Sequence, residues 1–148
     1  DDAQSGRLRE AAAEVQAQIA ALDQLAPATN GTLVRCLADA SAVARMSGNA
    51  QAALASAERI RAMERAAGIE HSINHAATLM ILARAQAMAG RFREAVATTR
   101  QGLAIHDRAG STQSPGARNL RALHASLLRD GGQPLAAVAE FDALLAQH

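Results

Sequence analysis

A constant interval of 42 residues organises this sequence. At that interval stand four glycines, each followed five residues later by an alanine: Gly6, Gly48, Gly90 and Gly132, then Ala11, Ala53, Ala95 and Ala137. A period of this length is typical of repeat architectures, in which stacked supersecondary units share one continuous core. The interval therefore predicts a linear array of similar units, and it outweighs any single local signal.

The composition favours helices throughout the chain. Hydrophobic residues make up 49% of the sequence but aromatic residues only 1%, so alanine and leucine must supply the core. Alanine is the strongest helix former, and leucine follows it closely. No stretch shows the β-branched or aromatic alternation that is typical of a strand. The sequence therefore predicts an all-α protein.

Glycines, prolines and helix-capping residue types mark where the helices begin and end. Polar residues 1–5 are expected to fray, and an apolar stripe predicts a leading helix over 7–25. Three residues that favour the N-cap position recur at the repeat interval: Asn30, Ser72 and Ser114. Glycine accepts the left-handed backbone found where helices end. The other predicted helices span 31–47, 50–67, 73–89, 92–109, 115–131 and 134–147.

The predicted architecture is an α-solenoid of about seven helices, in which one leading helix precedes three antiparallel pairs. We expect a single array over 1–148, divided into a partial repeat and three full ones: 1–29, 30–71, 72–113 and 114–148. Gly6, as a fourth copy of the turn glycine, indicates that the chain begins in the middle of a repeat. Because the sequence opens on Asp1 rather than methionine, we expect it to be a piece of a longer protein.

The middle repeat carries a recognisable motif. A large residue, a leucine and a small residue precede the turn glycine, and an aromatic and a small residue follow it: Leu79, Leu82, Ala83, Gly90, Phe92 and Ala95. This pattern resembles the tetratricopeptide repeat (TPR), whose usual period is about 34 residues. The longer period is similar to that of kinesin light chain repeats. Gln86 and Thr99 stand where the family often has aromatic residues.

The resemblance implies a concave groove lined by the first helix of each pair (helix A), with the second (helix B) behind it. Counting from the turn glycines, the groove would contain arginine, methionine and asparagine side chains: Arg35, Arg45, Met46, Met80, Arg84, Met88, Asn119 and Arg129. Arginine binds carboxylates bidentately, and methionine offers an adaptable apolar surface. The alternative is that these are ordinary exposed residues of a chain whose fifteen basic residues are all arginine.

The function class implied is a non-enzymatic protein-interaction module in a bacterial regulatory or signalling protein. The expected partner is a protein or peptide with acidic side chains or a free C-terminal carboxylate. A small-molecule sensor and a structural or oligomerisation spacer remain open, and a deep pocket with convergent polar groups would favour the sensor.

Charge and hydropathy limit the other partners and the location. The net charge of +1 gives no field that favours nucleic acid. No run reaches the roughly 18 apolar residues of a membrane span. We therefore expect no nucleic-acid or membrane partner and a cytoplasmic location.

Few residues in this sequence could bind a metal or take part in catalysis. His71 and His75 have a metal-ligand spacing but no third ligand follows, so we expect no metal and no cofactor. Cys36 is the only cysteine and is predicted to be a small buried thiol. His106 and His124 are predicted to be surface or packing residues, and Arg93 a solvated residue beside a turn.

The two ends of the array carry a separate prediction. Solenoids normally close with polar capping helices. The last helix is predicted to expose three apolar residues instead: Val138, Phe141 and Leu144. This pattern indicates either further repeats or self-association through an uncapped end.

Overall fold

The computed structural model describes residues 2–25 and 31–146, and within them seven α-helices and no strand. The helices are α1 (Asp2–Leu25), α2 (Gly31–Met46), α3 (Ala50–Ala66), α4 (Ile73–Met88), α5 (Phe92–Ala109), α6 (Pro115–Asp130) and α7 (Pro134–Leu145). The predicted all-α class with seven helices is confirmed. Six of the helices begin at the residue predicted for them, because a glycine, a proline or a capping residue marks each start.

The leading helix differs from the prediction. It begins at Asp2, so residues 2–5 are helical rather than frayed, and Gly6 lies inside α1 instead of at a turn. The backbone at Gly6 has no positive φ, unlike that of the later turn glycines. A glycine inside a helix costs only about 1 kcal/mol relative to alanine. The surrounding helix formers offset that cost, so the sequence period continues through Gly6 while the turn does not.

The turns between the helices of a pair are closed by glycines with left-handed backbone. Gly48, Gly90 and Gly132 have φ of 78°, 79° and 89°. At the middle turn, the amide of Gly90 donates to Ala87 O at 3.0 Å, and the amide of Arg91 donates to Gln86 O at 2.9 Å. These bonds satisfy carbonyls that the end of α4 would otherwise leave open. A Cβ at Gly90 would meet nothing within 4 Å, so only the backbone angle requires glycine there.

Gly90→Ala and Gly6→Ala are expected to change stability in opposite directions. Alanine at Gly90 must adopt a left-handed conformation, which costs about 1–2 kcal/mol. Alanine at Gly6 keeps a helical backbone with open space around it and gains up to about 1 kcal/mol. Urea denaturation followed by circular dichroism measures both, and equal shifts of the two midpoints would contradict the assignment of Gly6 to a helix.

Serine caps open the first helices of the second and third pairs, as predicted. Ser72 Oγ accepts from the His75 amide at 3.1 Å, and Ser114 Oγ accepts from the Ala117 amide at 3.2 Å. The predicted cap at Asn30 lies outside the described residues. Asn49 also caps α3, although it was not among the predicted caps, by accepting from the Ala52 amide at 3.1 Å. Side-chain caps of this kind are each worth about 1 kcal/mol.

Residues 1–70 form one compact unit, hereafter unit 1, in which α2 packs against both α1 and α3. Its core is aliphatic and comes from all three helices: Ile19, Leu33, Cys36, Leu37, Ala40 and Ile60. The prediction of a buried thiol is confirmed, because Cys36 is buried and its Sγ lies 3.6 Å from Gln18 Oε1.

Residues 71–148 form a second compact unit, unit 2, in which α4, α5, α6 and α7 pack in succession and α4 also contacts α6. The boundary between the units falls beside the predicted repeat boundary at 71/72. Part of the core comes from three of these helices: Ala83, Ala95, Val96, Leu127 and Leu128. Gly102 is buried on α5, and a Cβ there would lie only 2.5 Å from Leu120 Cδ2 on α6. The missing side chain therefore lets the two helices approach closely.

Two polar pairs replace the expected aromatic residues in the core of unit 2. Gln86 and Thr99 are 5% and 0% exposed. Thr98 Oγ1 on α5 donates to Gln86 Oε1 on α4 at 2.8 Å. Thr99 Oγ1 donates to Val96 O at 2.8 Å and lies 2.8 Å from His124 Nδ1 on α6, which therefore donates to it. Each pair joins neighbouring helices and satisfies groups that would be costly to bury alone.

Candidate partner-binding surfaces

The predicted groove residues of unit 1 lie along α2. Arg35 is exposed, Arg45 is half-buried, and Met46 is 64% exposed at the end of the helix. In the described part of the chain, neither arginine is within bonding distance of a carboxylate. Both guanidinium groups are therefore available to a partner.

The remaining groove residues lie in unit 2, on two helices that contact each other. Met80 and Arg84 are half-buried and Met88 is 40% exposed; spaced four residues apart, they share one face of α4. Asn119 and Arg129 are exposed on α6. Arg129 Nε lies 3.1 Å from Asp130 Oδ1, so part of its charge is compensated by its neighbour.

Positive charge in unit 2 is concentrated on the A helices. The helices α4 and α6 together carry four arginines and one acidic residue: Arg84, Arg118, Arg121, Arg129 and Asp130. The B helices α5 and α7 carry three arginines and four acidic residues. Arg121 donates to Thr112 O and lines a small cleft among α5, α6 and α7, so three arginines and one aspartate remain to set the charge that a segment lying against α4 and α6 would meet. This balance favours an acidic partner.

The histidines are not arranged as a metal site. His71 is exposed before α4 begins, whereas His75 is buried within it. Over 2–25 and 31–146, no group of three or more potential metal ligands occurs. His106 is buried with Nδ1 at 2.8 Å from Ser111 Oγ, and His124 is buried against Thr99. Both are packing residues rather than surface residues.

The environment of His124 perturbs its titration. Burial lowers its pKa below the ordinary value of 6.5. Arg100 lowers it further, and Glu140 opposes both with its negative charge. The neutral imidazole is therefore the form that the folded chain favours.

The last helix exposes a different residue from those predicted. Phe141 is half-buried against the core cluster of unit 2, and Leu144 is also half-buried. Because α7 packs on α6, Phe141 and Leu144 are partly covered rather than fully exposed. Leu145 is the exposed one, at 71%. The side chain of Val138 lies outside the described residues.

Clefts open beside several helix ends of the two units. One of about 630 Å³ lies between the start of α1 and the α2–α3 turn and includes Met46. A second, about 460 Å³, lies between the start of α5 and the α6–α7 turn. The third, about 150 Å³ among α5, α6 and α7, is below the roughly 300 Å³ at which small-molecule sites begin.

In the described ranges, no helix is both long and apolar enough to cross a membrane. This is the structural counterpart of the short apolar runs in the sequence.

Comparisons with known proteins bear on the fold. No protein-family model matches the sequence, and no curated protein matches it. A crystal structure of nearly identical TPR-like repeats, from a Podospora anserina protein assigned as a kinesin light chain, aligns with a TM-score of 0.84. The alignment covers 97% of this chain and 68% of that one at 20% identity. A variant of the same protein aligns over 97% of this chain and 88% of that one, with a TM-score of 0.47 and 17% identity. The predicted TPR-like repeats resembling those of kinesin light chain are confirmed at the level of fold.

Proposed function

We propose that this array of TPR-like repeats is a protein-interaction module whose partner binds along the A helices. Helical-repeat arrays present extended surfaces rather than enclosed pockets, and they suit peptides and protein segments. The cleft among α5, α6 and α7, which gathers His106, Arg121 and Glu140, measures only about 150 Å³ and is too small for a typical small-molecule site.

The charge on α4 and α6 supports an acidic partner. Apart from Arg121, which donates to Thr112 O, one aspartate opposes three arginines on these two helices. Asn119, Met88 and Arg129 are exposed on them. Arginine and asparagine side chains can donate hydrogen bonds to carboxylates, while Met80 and Met88 can pack against apolar side chains. We therefore propose a peptide with acidic side chains or a free C-terminal carboxylate.

The same chemistry is present in unit 1, and we assign it the same role. Arg35, Arg45 and Met46 repeat the arginine and methionine composition on α2. Met46 and Met88 stand one repeat apart, at the end of the first helix of successive pairs. The proposal extends to a single array over 1–148 in a cytoplasmic bacterial regulatory or signalling protein, where the single buried cysteine suits a reducing compartment.

A charge-reversed variant of unit 2 tests the proposal. Met88→Glu with Arg129→Glu should weaken binding of acidic peptides by at least about tenfold, which corresponds to the loss of one charge-assisted hydrogen bond. The probe is a panel of fluorescently labelled acidic peptides with free or amidated C-termini, and the readout is fluorescence anisotropy. Both positions are exposed, so unfolding free energies should change by only about 0.5 kcal/mol.

The matched control places the same charges elsewhere on unit 2. Gln101→Glu with Arg108→Glu adds the same negative charge on α5, at two exposed positions. Arg108 also lies in the last turn of its helix, as Arg129 does. Equal affinity of the two variants for the acidic peptides would contradict binding along the A helices. If no peptide binds the unaltered chain, the result would favour a structural spacer.

A further inference from the structure

We propose that the cleft at the start of α5 is a second docking site, which takes an acidic protein segment carrying one large apolar side chain. The α5 cleft is the 460 Å³ depression lined by Phe92, Arg93, Val96, Arg100, Leu127 and residues 131–133. Its lining comes from α5, from Leu127 on α6 and from the α6–α7 turn, and it includes none of the side chains assigned above to the partner on the A helices. It would therefore serve a different contact.

One stripe of α5 combines two cations with an apolar centre. Arg93, Val96 and Arg100 follow at three- and four-residue steps, which puts them on one face of the helix. The arginines are separated by two helical turns, or about 10 Å along the axis. Val96 lies between them but is only 8% exposed, and Leu127 beside it is 2% exposed. The half-buried Phe92, which packs against both, therefore supplies most of the apolar surface that a partner could contact.

The two arginines have no carboxylate partner in the described part of the chain. Arg93 and Arg100 are exposed, and neither is within bonding distance of an acidic side chain. The nearest acid in sequence, Glu94, is oriented toward Arg91, with their charged atoms 4.0 Å apart. Within the described residues, the internal packing of unit 2 therefore leaves both guanidinium groups able to bind an external anion.

Glycine forms the opposite wall of the cleft. A Cβ at Gly131 would lie 3.3 Å from Phe92 Cβ on α5, which is tighter than an ordinary contact, and 2.9 Å from Leu127 O at the end of its own helix, α6. The lack of a side chain at Gly131 therefore allows the turn to lie close to α5. The equivalent positions one and two repeats earlier are Ala89 and Ser47. The absence of side chains at Gly131 and Gly132 also leaves the cleft open on this side.

Charge and surface chemistry together select the occupant. Two arginines on either side of an apolar floor complement a segment that has carboxylates on either side of one apolar side chain. A nucleic acid would match the charge, but single strands are held by several aromatic stacking partners. Among the described residues that line the cleft, Phe92 alone is aromatic. A protein segment is therefore the better match.

A designed helical peptide tests the proposal directly. The probe is a fluorescein-labelled peptide in which two glutamates, two turns apart, flank a leucine on the same face. Arg93→Glu with Arg100→Glu should weaken its binding by at least about tenfold, and a peptide with glutamines in place of the glutamates should lose affinity for the unaltered chain to the same degree. A third peptide with alanine for the leucine should also bind more weakly.

The crossed control is the variant of the A helices, Met88→Glu with Arg129→Glu, which should leave the affinity for this peptide within about twofold. Amide chemical shifts on peptide addition should change chiefly over residues 92–100, at Leu127 and over residues 131–133. The proposal is overturned if the glutamine peptide binds equally well, if Arg93→Glu with Arg100→Glu leaves the affinity unchanged, or if shifts concentrate on α4. The two double variants alter different side chains. If one variant loses binding of the helical peptide and the other loses binding of the acidic peptides used for the A helices, the two proposals are tested independently.

Discussion

Replacing Leu120 with alanine should lower the free energy of unfolding by about 2–5 kcal/mol. It should also turn Gly102→Ala from a destabilising substitution into a stabilising one. Leu120 is 1% exposed, so its truncation removes buried apolar contacts and leaves a cavity. In the unaltered chain, a Cβ at Gly102 would lie 2.5 Å from Leu120 Cδ2. Overpacking of this kind costs about 1–3 kcal/mol, which exceeds the gain of about 1 kcal/mol from placing alanine in a helix.

In the Leu120→Ala background, Gly102→Ala becomes favourable. The clashing methyl is gone, and the next atom near the added Cβ is Ala76 O at 3.7 Å, an ordinary contact distance. Only the helix-propensity gain then remains. The coupling between the two substitutions should therefore stabilise the double variant by about 1–3 kcal/mol relative to additivity.

Urea denaturation followed at 222 nm measures this cycle. The chain has neither tryptophan nor tyrosine, so circular dichroism is preferable to intrinsic fluorescence. Amide hydrogen exchange would locate the loss in unit 2 rather than unit 1. Additive effects of the two substitutions would show that α5 and α6 are not held at the distance described.

Thr99→Val should destabilise unit 2 by about 1–3 kcal/mol, although valine has nearly the same shape as threonine. The substitution removes the hydroxyl that accepts from His124 Nδ1 and leaves a buried donor without its partner. His124→Leu should cost less, because the Thr99 hydroxyl still donates to Val96 O. The double variant should be more stable than Thr99→Val alone, since neither polar group is then left unpaired.

The pH dependence of stability provides an independent readout for the same pair. The folded pKa of His124 lies below its unfolded value of about 6.5, so the folded state binds fewer protons. The associated stability is fully present above about pH 6.5 and is lost as the pH falls through the folded pKa. Arg100 on α5 strengthens this dependence, while Glu140 on α7 weakens it.

His124→Leu should remove this component of the acid destabilisation. The matched control is His71→Leu at an exposed histidine, which should leave the coupling between positions 99 and 124 unchanged. Identical pH profiles for the unaltered chain and His124→Leu would contradict a buried neutral imidazole.

Most of the fold was predictable because local residue types determine where most of its helices begin and end. A glycine, a proline or a capping residue precedes or opens each helix from α2 to α7. The spacing of apolar residues along each helix predicts which face is buried. The start of α1 was not predictable in this way, because Gly6 satisfies the sequence period without providing a turn. One glycine lowers helix stability by only about 1 kcal/mol, and it stops a helix only where the chain must reverse.

The polar interior could not be derived from sequence. Gln86 and Thr99 were recognised as departures from the family pattern, but their partners lie on other helices, 12 and 25 residues away. Phe141 was expected at an exposed end, yet packing of α7 on α6 covers it. Such contacts depend on how neighbouring helices are rotated, which residue spacing along one helix does not determine.

The candidate surfaces show the same distinction between positions that spacing along one helix determines and features that depend on contacts between helices. The exposure of Arg35, Asn119 and Arg129 agrees with their predicted positions, because counting from a turn fixes the face of a helix. The role of the A helices in binding stays a prediction. The α5 cleft was not recognised from sequence, where Arg93 was expected only to be solvated. Its shape depends on the approach of Gly131 to Phe92, which joins residues that are distant along the chain.

The buried polar contacts of unit 2 also affect which helices pack together when the chain folds. Similar repeats can exchange neighbours during folding, so that a helix packs in the place of its counterpart one period away. The counterpart of Gln86 is Ala44, and that of Thr99 is Ala57, both apolar and buried in unit 1. When α6 packs against α3 in place of α5, His124 meets Ala57 and loses its partner, whereas Gln86 on α4 would meet the buried hydroxyl of Ser56, the counterpart of Thr98. The loss at His124 costs about 1–3 kcal/mol, so the Thr99–His124 pair disfavours the wrong pairing of helices more than it strengthens the right one.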